Sequence, residues 1–564
     1  MNKLSKKMLL AVSLMTASFS TDAQVSVENL LGSMTRRQKI AQIIIDAIDS
    51  HSPDSVKAAQ ARYCSLGLGG IIIMDDGLED NMKMVNCLQE SASIPLLVTI
   101  DGEWGASMRY REFNQFPRAM QMGALTESGL VYQVGRAIGE ELAQLKIFCN
   151  YAPVVDVNNN PKNPVINTRS FGEDRFKVAE FSSAYMRGMK DAGVAGSAKH
   201  FPGHGDTDVD SHKGLPVLLF DRERLDRVEL YPFRRLIADG VDMVMVGHLS
   251  VPSLDGTGTP ASVSKPIVTG LLREELGYDG IIITDALGME GVAAGGVDAA
   301  YAAYAAGADI LLMPKSVEAA IDAIDTAIEK GEASEADLDG RVRKVLELKQ
   351  RCGMLSPSYD KYVDIDSLAS IACRPESDSL IQHISDVSMT VVKGGRHLPL
   401  RLDGRRKVAY VAYNAISSAS TQFAAELGKY GTFDRFDIPG DATLEQIDEI
   451  GEALKGYKDV IVVFHSGKPR PSTGGAKRFA SVEKSQFERI ASWSKKHRLY
   501  GIYLGNPYDL DNMPMHKQFR SFVIGYADSF ENNRAAARAV SLGGAQGVLP
   551  VGAGGYPCGH NDLN

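Results

Sequence analysis

The chain has 564 residues, 44% of them hydrophobic and 7% aromatic, which is enough apolar material for more than one core. Its formal charge of −9 is spread over both signs with no basic run, so the sequence carries no footprint of a nucleic-acid or anionic-membrane binder and favours a neutral or small ligand. The six cysteines lie far apart without a C-x-x-C pair and read as separate small apolar residues, not as a metal site or a disulfide framework.

In chain order, residues 1–23 have the three regions of a secretory signal: Lys3, Lys6 and Lys7, an apolar stretch over 8–19, and a cleavage end at Thr21-Asp22-Ala23. The expectation is an exported chain, periplasmic or secreted. The apolar stretch falls well short of the ~20 residues a membrane span needs.

Apolar runs then recur at 43–45, 69–74, 95–100, 150–157, 194–198, 241–246, 280–283 and 309–313. Amphipathic helical patterns separate them, among them 81–91, 129–144, 176–191, 221–239 and 265–276. Eight such units predict an α/β fold, a (β/α)8 barrel over 24–355, closed by helical patterns at 316–331 and 334–353. A polar linker is read over 356–380. The remainder, 381–564, has β-like runs at 408–413, 460–464, 499–504 and 522–525 alternating with helical patterns at 443–455, 484–497 and 532–542, and predicts a smaller α/β sandwich with a largely parallel sheet. The Gly-rich stretch 543–551 lacks Gly-Lys-Ser/Thr and is not a phosphate-cradling loop.

The residues that follow the runs are more telling. Asp75, Asp101, Asp156, Lys199 with His200, His248 and Asp285 all stand at C-terminal ends, which a barrel gathers on one face. Helix capping is the plainer reading for Asp75 and Asp76, but it does not account for a Lys-His pair. Segment 199–212 holds three histidines, three aspartates and a lysine among Pro202, Gly203 and Gly205, so it is a loop rich in titratable groups.

Asp285 ends the run Ile281-Ile282-Ile283-Thr284 and is either a helix cap or a nucleophile able to attack an anomeric carbon. Asp210-x-His212 is either a surface-loop triplet or an acid/base dyad in which the carboxylate fixes the imidazole. His200, His204 and His212 with the nearby aspartates also have the donor types of a metal site. The calcium-loop reading of Asp206-x-Asp208-x-Asp210 fails, because Ser211 stands at the glycine position and Val217 at the closing glutamate. Arg169 in Asn167-Thr168-Arg169-Ser170-Phe171-Gly172 and the stretch Asp101-Gly102-Glu103-Trp104-Gly105 add a guanidinium, carboxylates and an indole, the groups that bind hydroxyls and stack on sugars. Core burial is the alternative for Trp104.

Taken together, K-H-F-P-G-H-G-D-T-x-x-D-S-H (199–212), N-T-R-S-F-G (167–172), D-G-E-x-G (101–105) and T-D-A-L-G-M (284–289) closely resemble glycoside hydrolase family 3, in its β-N-acetylglucosaminidase (NagZ-type) branch. The resemblance implies a retaining exo-β-N-acetylglucosaminidase, a β-N-acetylhexosaminidase that removes terminal N-acetylglucosamine from peptidoglycan fragments or chitin-type oligosaccharides through a covalent glycosyl-enzyme. It implies Asp285 as nucleophile and His212 with Asp210 as acid/base dyad. Asp101, Arg109, Arg169, Lys199 and His200 are implied as sugar contacts. No metal and no organic cofactor are implied, and the partner is the carbohydrate alone, with no nucleic acid and no membrane span, the protein acting as a monomer. Other β-glycosidase specificity, phosphorolysis by phosphate in place of water, and silent sugar binding stay open. Trp104 departs from the family pattern, which commonly has glycine there, so the pocket rim is expected to differ.

Overall fold

The computed structural model describes residues 26–48, 50, 52–74, 77–210, 214–293, 299–466 and 482–563. Residues 1–23, Asp75, Asp76 and His212 of the sequence reading lie outside that set.

Eight short strands form the first sheet: β1 (Ile44–Ala47), β2 (Gly70–Ile73), β3 (Leu97–Ile100), β4 (Cys149–Asn150), β5 (Ala195–Phe201), β6 (Met243–Val246), β7 (Ile281–Thr284) and β8 (Leu311–Leu312). Neighbours pair in parallel in the order β7-β6-β5-β4-β3-β2-β1-β8, and a parallel bridge between Ile283 and Ile310 joins the two ends. The result is a closed parallel barrel. Its strands are apolar on both faces because helices cover the outside while side chains fill the inside; Ile71, Ile72, Ile73, Val98, Val244 and Ile282 are all buried.

Two strands are shorter than their apolar runs. Of the run 150–157 only Asn150 lies in the two-residue ladder of β4, since Pro153 has no N–H to donate, and the run rejoins β5 through the Val154–Lys199 bridge. The run 309–313 pairs over Leu311–Leu312 because the Asp309 side chain turns aside to accept from the Ile282 N–H.

The second sheet has order β11-β10-β12-β13-β14-β9, from β9 (Thr390–Lys393), β10 (Val408–Tyr413), β11 (Asp434–Ile438), β12 (Asp459–His465), β13 (Arg498–Leu504) and β14 (Ser521–Ile524). All pairs are parallel except β14 with β9. The sequence reading missed β9 and β11. β11 reads Asp-Arg-Phe-Asp-Ile and is largely exposed, a charged edge strand with no apolar run to reveal it. Helix Pro375–Ser388 begins inside the stretch read as linker and packs on helix Phe530–Ser541, with Arg538 Nη1 2.8 Å from Asp386 Oδ2.

The two sheets are locked together. Met120 and Ala124, from the segment between β3 and β4, sit in the apolar cluster of the second sheet with Leu549 and Val551. Gly172, at φ +136°, lies so close to Pro550 O that a Cβ there would stand 2.2 Å from it, so only glycine admits this contact.

Candidate active site

At the C-terminal mouth of the barrel, charged side chains from three strand ends form one chain of contacts. Arg109 Nη2 stands 3.2 Å from Asp101 Oδ2, and Lys199 Nζ stands 2.7 Å from Asp101 Oδ1 and 2.8 Å from Glu103 Oε1. Arg169 grips Glu103 with both arms of its fork, Nη2 to Oε1 at 2.6 Å and Nε to Oε2 at 2.9 Å, and its Nη2 lies 3.4 Å from His200 Nε2. His200 Nδ1 meets Asp156 Oδ2 at 2.8 Å. Asp101, Arg109, Arg169, Lys199 and His200 are thus brought together, with Glu103 and Asp156 as the carboxylates between them.

Local geometry explains how two consecutive residues, Lys199 and His200, both serve the site. Strand alternation would send them to opposite faces, but the β5–β6 register skips one residue between Lys199 and Phe201, and this irregularity lets both reach the mouth. Asp156, almost fully buried, then accepts from the His200 N–H at 3.2 Å and the His204 N–H at 2.7 Å, so one carboxylate fixes both the imidazole and the loop that follows. Gly205 lies against Val157 O, where a Cβ would fall 1.9 Å from the oxygen; no larger residue fits this approach. Asn163 Nδ2 donates to the carbonyls of His204 at 2.8 Å and Gly205 at 3.0 Å, which ties down the base of the loop.

Burial raises the cost of every charge here, and pairing offsets it. For Glu103 burial pushes upward, yet Arg169 and Lys199 hold the carboxyl well below the usual range. Asp101 is likewise held low by Lys199 and Arg109 against its burial. Lys199, opposed by burial, is held above its ordinary value by Asp101 and Glu103. His204 is pushed down to about 4 by burial and by His200, so it is neutral and its Nδ1 pairs with Thr207 Oγ1 at 2.7 Å.

Asp285 follows β7 directly and is half-buried. Burial would raise it, but His248, His200, the Ala286 N–H at 2.8 Å and Lys199 bring it to about 2, so it is ionised at neutral pH. The Ala286 carbonyl can only accept, so His248 Nε2, 3.0 Å away, carries a proton and steadies the turn after Asp285. A charged carboxylate at a strand end, held low by neighbouring donors and positive groups, is suited to nucleophilic attack.

Asp210 is buried, while His212 lies outside the described residues. Among the described residues no three His, Cys, Asp or Glu side chains stand placed to hold a metal ion. For Trp104, where the sequence offered a stacking surface or core burial, the structure shows burial: it is 5% exposed and lies under Arg118, whose guanidinium is 4.2 Å from the ring centroid. Its indole is taken by the protein's own cation. Glu103 lay inside the candidate stretch 101–105 without a role of its own, and Asn163 was not among the sequence-predicted site residues. The D-G-E stretch was a usable signal for Glu103, whereas nothing near Asn163 distinguishes it from any loop amide.

A closed parallel barrel with an ionised carboxylate after β7, facing a set of paired cations and carboxylates at the same mouth, defines a two-domain barrel hydrolase of the glycosidase class. The family model "Glycosyl hydrolase family 3 N terminal domain" matches residues 35–348, and the chain belongs to glycoside hydrolase family 3. A protein named beta-hexosaminidase A from Pseudoalteromonas piscicida is 35% identical over 456 residues, 74% of this chain and 74% of that protein. Beta-hexosaminidase LpqI of Mycobacterium tuberculosis is 35% identical over 332 residues, 56% of this chain and 83% of its own. The solved structure of a family 3 β-N-acetylglucosaminidase from Paenibacillus sp. str. FPU-7 superposes with a TM-score of 0.75 at 32% identity, covering 92% of this chain and 99% of that one.

Proposed function

We infer that this glycoside hydrolase is a retaining exo-β-N-acetylglucosaminidase acting on peptidoglycan fragments or chitin-type oligosaccharides. The observation that carries the reading is Asp285, ionised at the barrel mouth beside Lys199 and His200; relatives named beta-hexosaminidase supply the sugar. In the first step Asp285 attacks the anomeric carbon of terminal N-acetylglucosamine, while protonated His212, supported by Asp210, gives its proton to the departing oxygen. Water then enters, His212 removes its proton, and the bond to Asp285 breaks with the β configuration restored. Asp101, Arg109, Arg169, Lys199 and His200 hold the sugar hydroxyls. The reading further has the chain exported through residues 1–23, acting in the periplasm or outside the cell as a monomer.

The test is hydrolysis of 4-nitrophenyl N-acetyl-β-D-glucosaminide beside the glucoside analogue, followed by NMR. Release selective for the N-acetyl sugar, with the β-anomer formed first, supports the reading. Selectivity for the glucoside overturns the substrate, and the α-anomer first overturns the mechanism.

A further inference from the structure

The end of the second sheet that faces away from the barrel carries a pocket of about 610 Å³. The strand order places it. Asn506 and Tyr508, just past β13, touch the barrel at Asn167 and at Asn158 O, whereas Arg498 opens β13 and Arg520 immediately precedes β14, so these two lie at the far end. The end of β9 and the short 3-10 turn Gly395–His397 after it add Lys393, Arg396 and His397 to the same lining.

The charges there do not cancel. Asp562 is the lining's only carboxylate, and its Oδ2 accepts from the Gly394 N–H at 2.5 Å. Lys393 donates to the carbonyl of Phe519 at 2.8 Å and to that of Lys517, and Arg498 is paired with Asp459. Among the described residues Arg396 meets only the ring nitrogen of His397, at 3.4 Å, and the Arg520 side chain has no hydrogen bond or ion pair. The Nε of Arg498 is buried without a partner. His397 is lowered by burial and then by Arg520, Arg396 and Lys393, so three cations crowd one imidazole against the single opposing charge of Asp562. This concentration of positive charge stands on a chain whose formal charge is −9.

Two unpaired guanidiniums across a concave mouth match the paired oxygens of phosphate groups, which they bind in fork geometry. The volume is that of a site for a small molecule and not of a flat contact. We propose that this pocket is a second binding site, separate from the barrel mouth, for a small ligand bearing a diphosphate or two neighbouring phosphates.

Isothermal titration of the full chain with inorganic pyrophosphate tests this, with saturating N-acetylglucosamine present to occupy the barrel mouth. The expected result is saturable binding that weakens as salt rises. Arg396→Ala and Arg520→Ala, both exposed positions, should each weaken it about tenfold or more, with hydrolysis of the aryl glycoside unchanged. No binding, binding unmoved by either variant, or equal affinity for sulfate overturns the proposal. Vesicles of phosphatidylglycerol separate the two sources of phosphate: capture of the protein by vesicles without pyrophosphate binding also overturns it, since the site would then read a lipid surface.

Discussion

Asp285 and Lys349 show how the same physical term, burial, leads to opposite outcomes at two residues. At Asp285 neighbouring donors outweigh desolvation and the carboxylate stays charged. Asp285→Asn keeps the shape and removes the charge, so turnover should fall by ~10³-fold or more while the melting temperature holds, read from the initial rate on the aryl glycoside. At Lys349, fully buried in helix Glu335–Arg351, desolvation lowers the amine to about 7; among the described residues its Nζ meets only the neutral Gln42 Oε1, at 3.0 Å. The unfolded amine keeps its ordinary affinity for protons, so between about pH 7 and 10 the unfolded state binds more of them and stability rises with pH. Below about 7 the penalty is fully present. Lys349→Met should therefore raise the melting temperature at pH 7 and flatten its slope between pH 7 and 10, as scanning calorimetry would record. Asp285 was legible because an unbroken apolar run ends at a carboxylate. Lys349 was not, because its depth without an opposing charge is a property of packing that no local pattern encodes.

Loops, more than strands, decide the reacting geometry. The segment that begins at Lys199 is held at its base by Asp156, Asn163 and the close seat of Gly205 on Val157 O, and it leads to Asp210 and onward to His212. Asn163→Ala frees the carbonyls of His204 and Gly205 and costs about 1–3 kcal/mol of local order. The loss of activity should be much larger on a natural disaccharide than on an activated aryl glycoside, since only the former needs a proton delivered to a poor leaving group. His212→Ala should show the same asymmetry, and equal losses on both substrates would remove His212 from the acid role. The density of histidines and aspartates marked this loop in the sequence. Its anchors escaped notice because an asparagine in a Pro-rich turn has no periodicity or spacing to expose it. For Trp104 the sequence left a sugar platform and core burial both open, and the approach of Arg118 from fourteen positions away reveals that the ring is already covered.

At the scale of the whole molecule, barrel and sandwich are parts of one core. Met120 and Ala124 leave the barrel for the apolar cluster of the second sheet, and Asn506 Nδ2 reaches Asn167 Oδ1 at 2.5 Å, two residues from Arg169. A fragment ending at 355 should therefore aggregate or lose activity even though it holds every predicted site residue, a result that sedimentation and rate measurement would give directly. Asn506→Ala in the full chain should raise KM more than it lowers kcat, because it loosens the turn that presents Arg169. The alternation of apolar runs made both layers legible. The crowding of Lys393, Arg396, Arg498 and Arg520 at one pole was invisible, since Arg498 and Arg520 lie more than a hundred residues along the chain from Lys393 and Arg396 and only the sheet brings them together.

The interlock also has a meaning in time. The carbonyl of Pro550 receives the Glu173 N–H at 3.0 Å, the Val548 N–H donates to Ala124 O at 2.9 Å, and the Asp562 N–H closes on Val391 at 2.7 Å. A ribosome releases the barrel long before it releases these clasps, so a chain made only as far as the barrel presents an uncovered apolar seam around Met120 and Phe171. The seam is sealed only once segment 548–562 has emerged, and until then the protein depends on whatever keeps such surfaces apart.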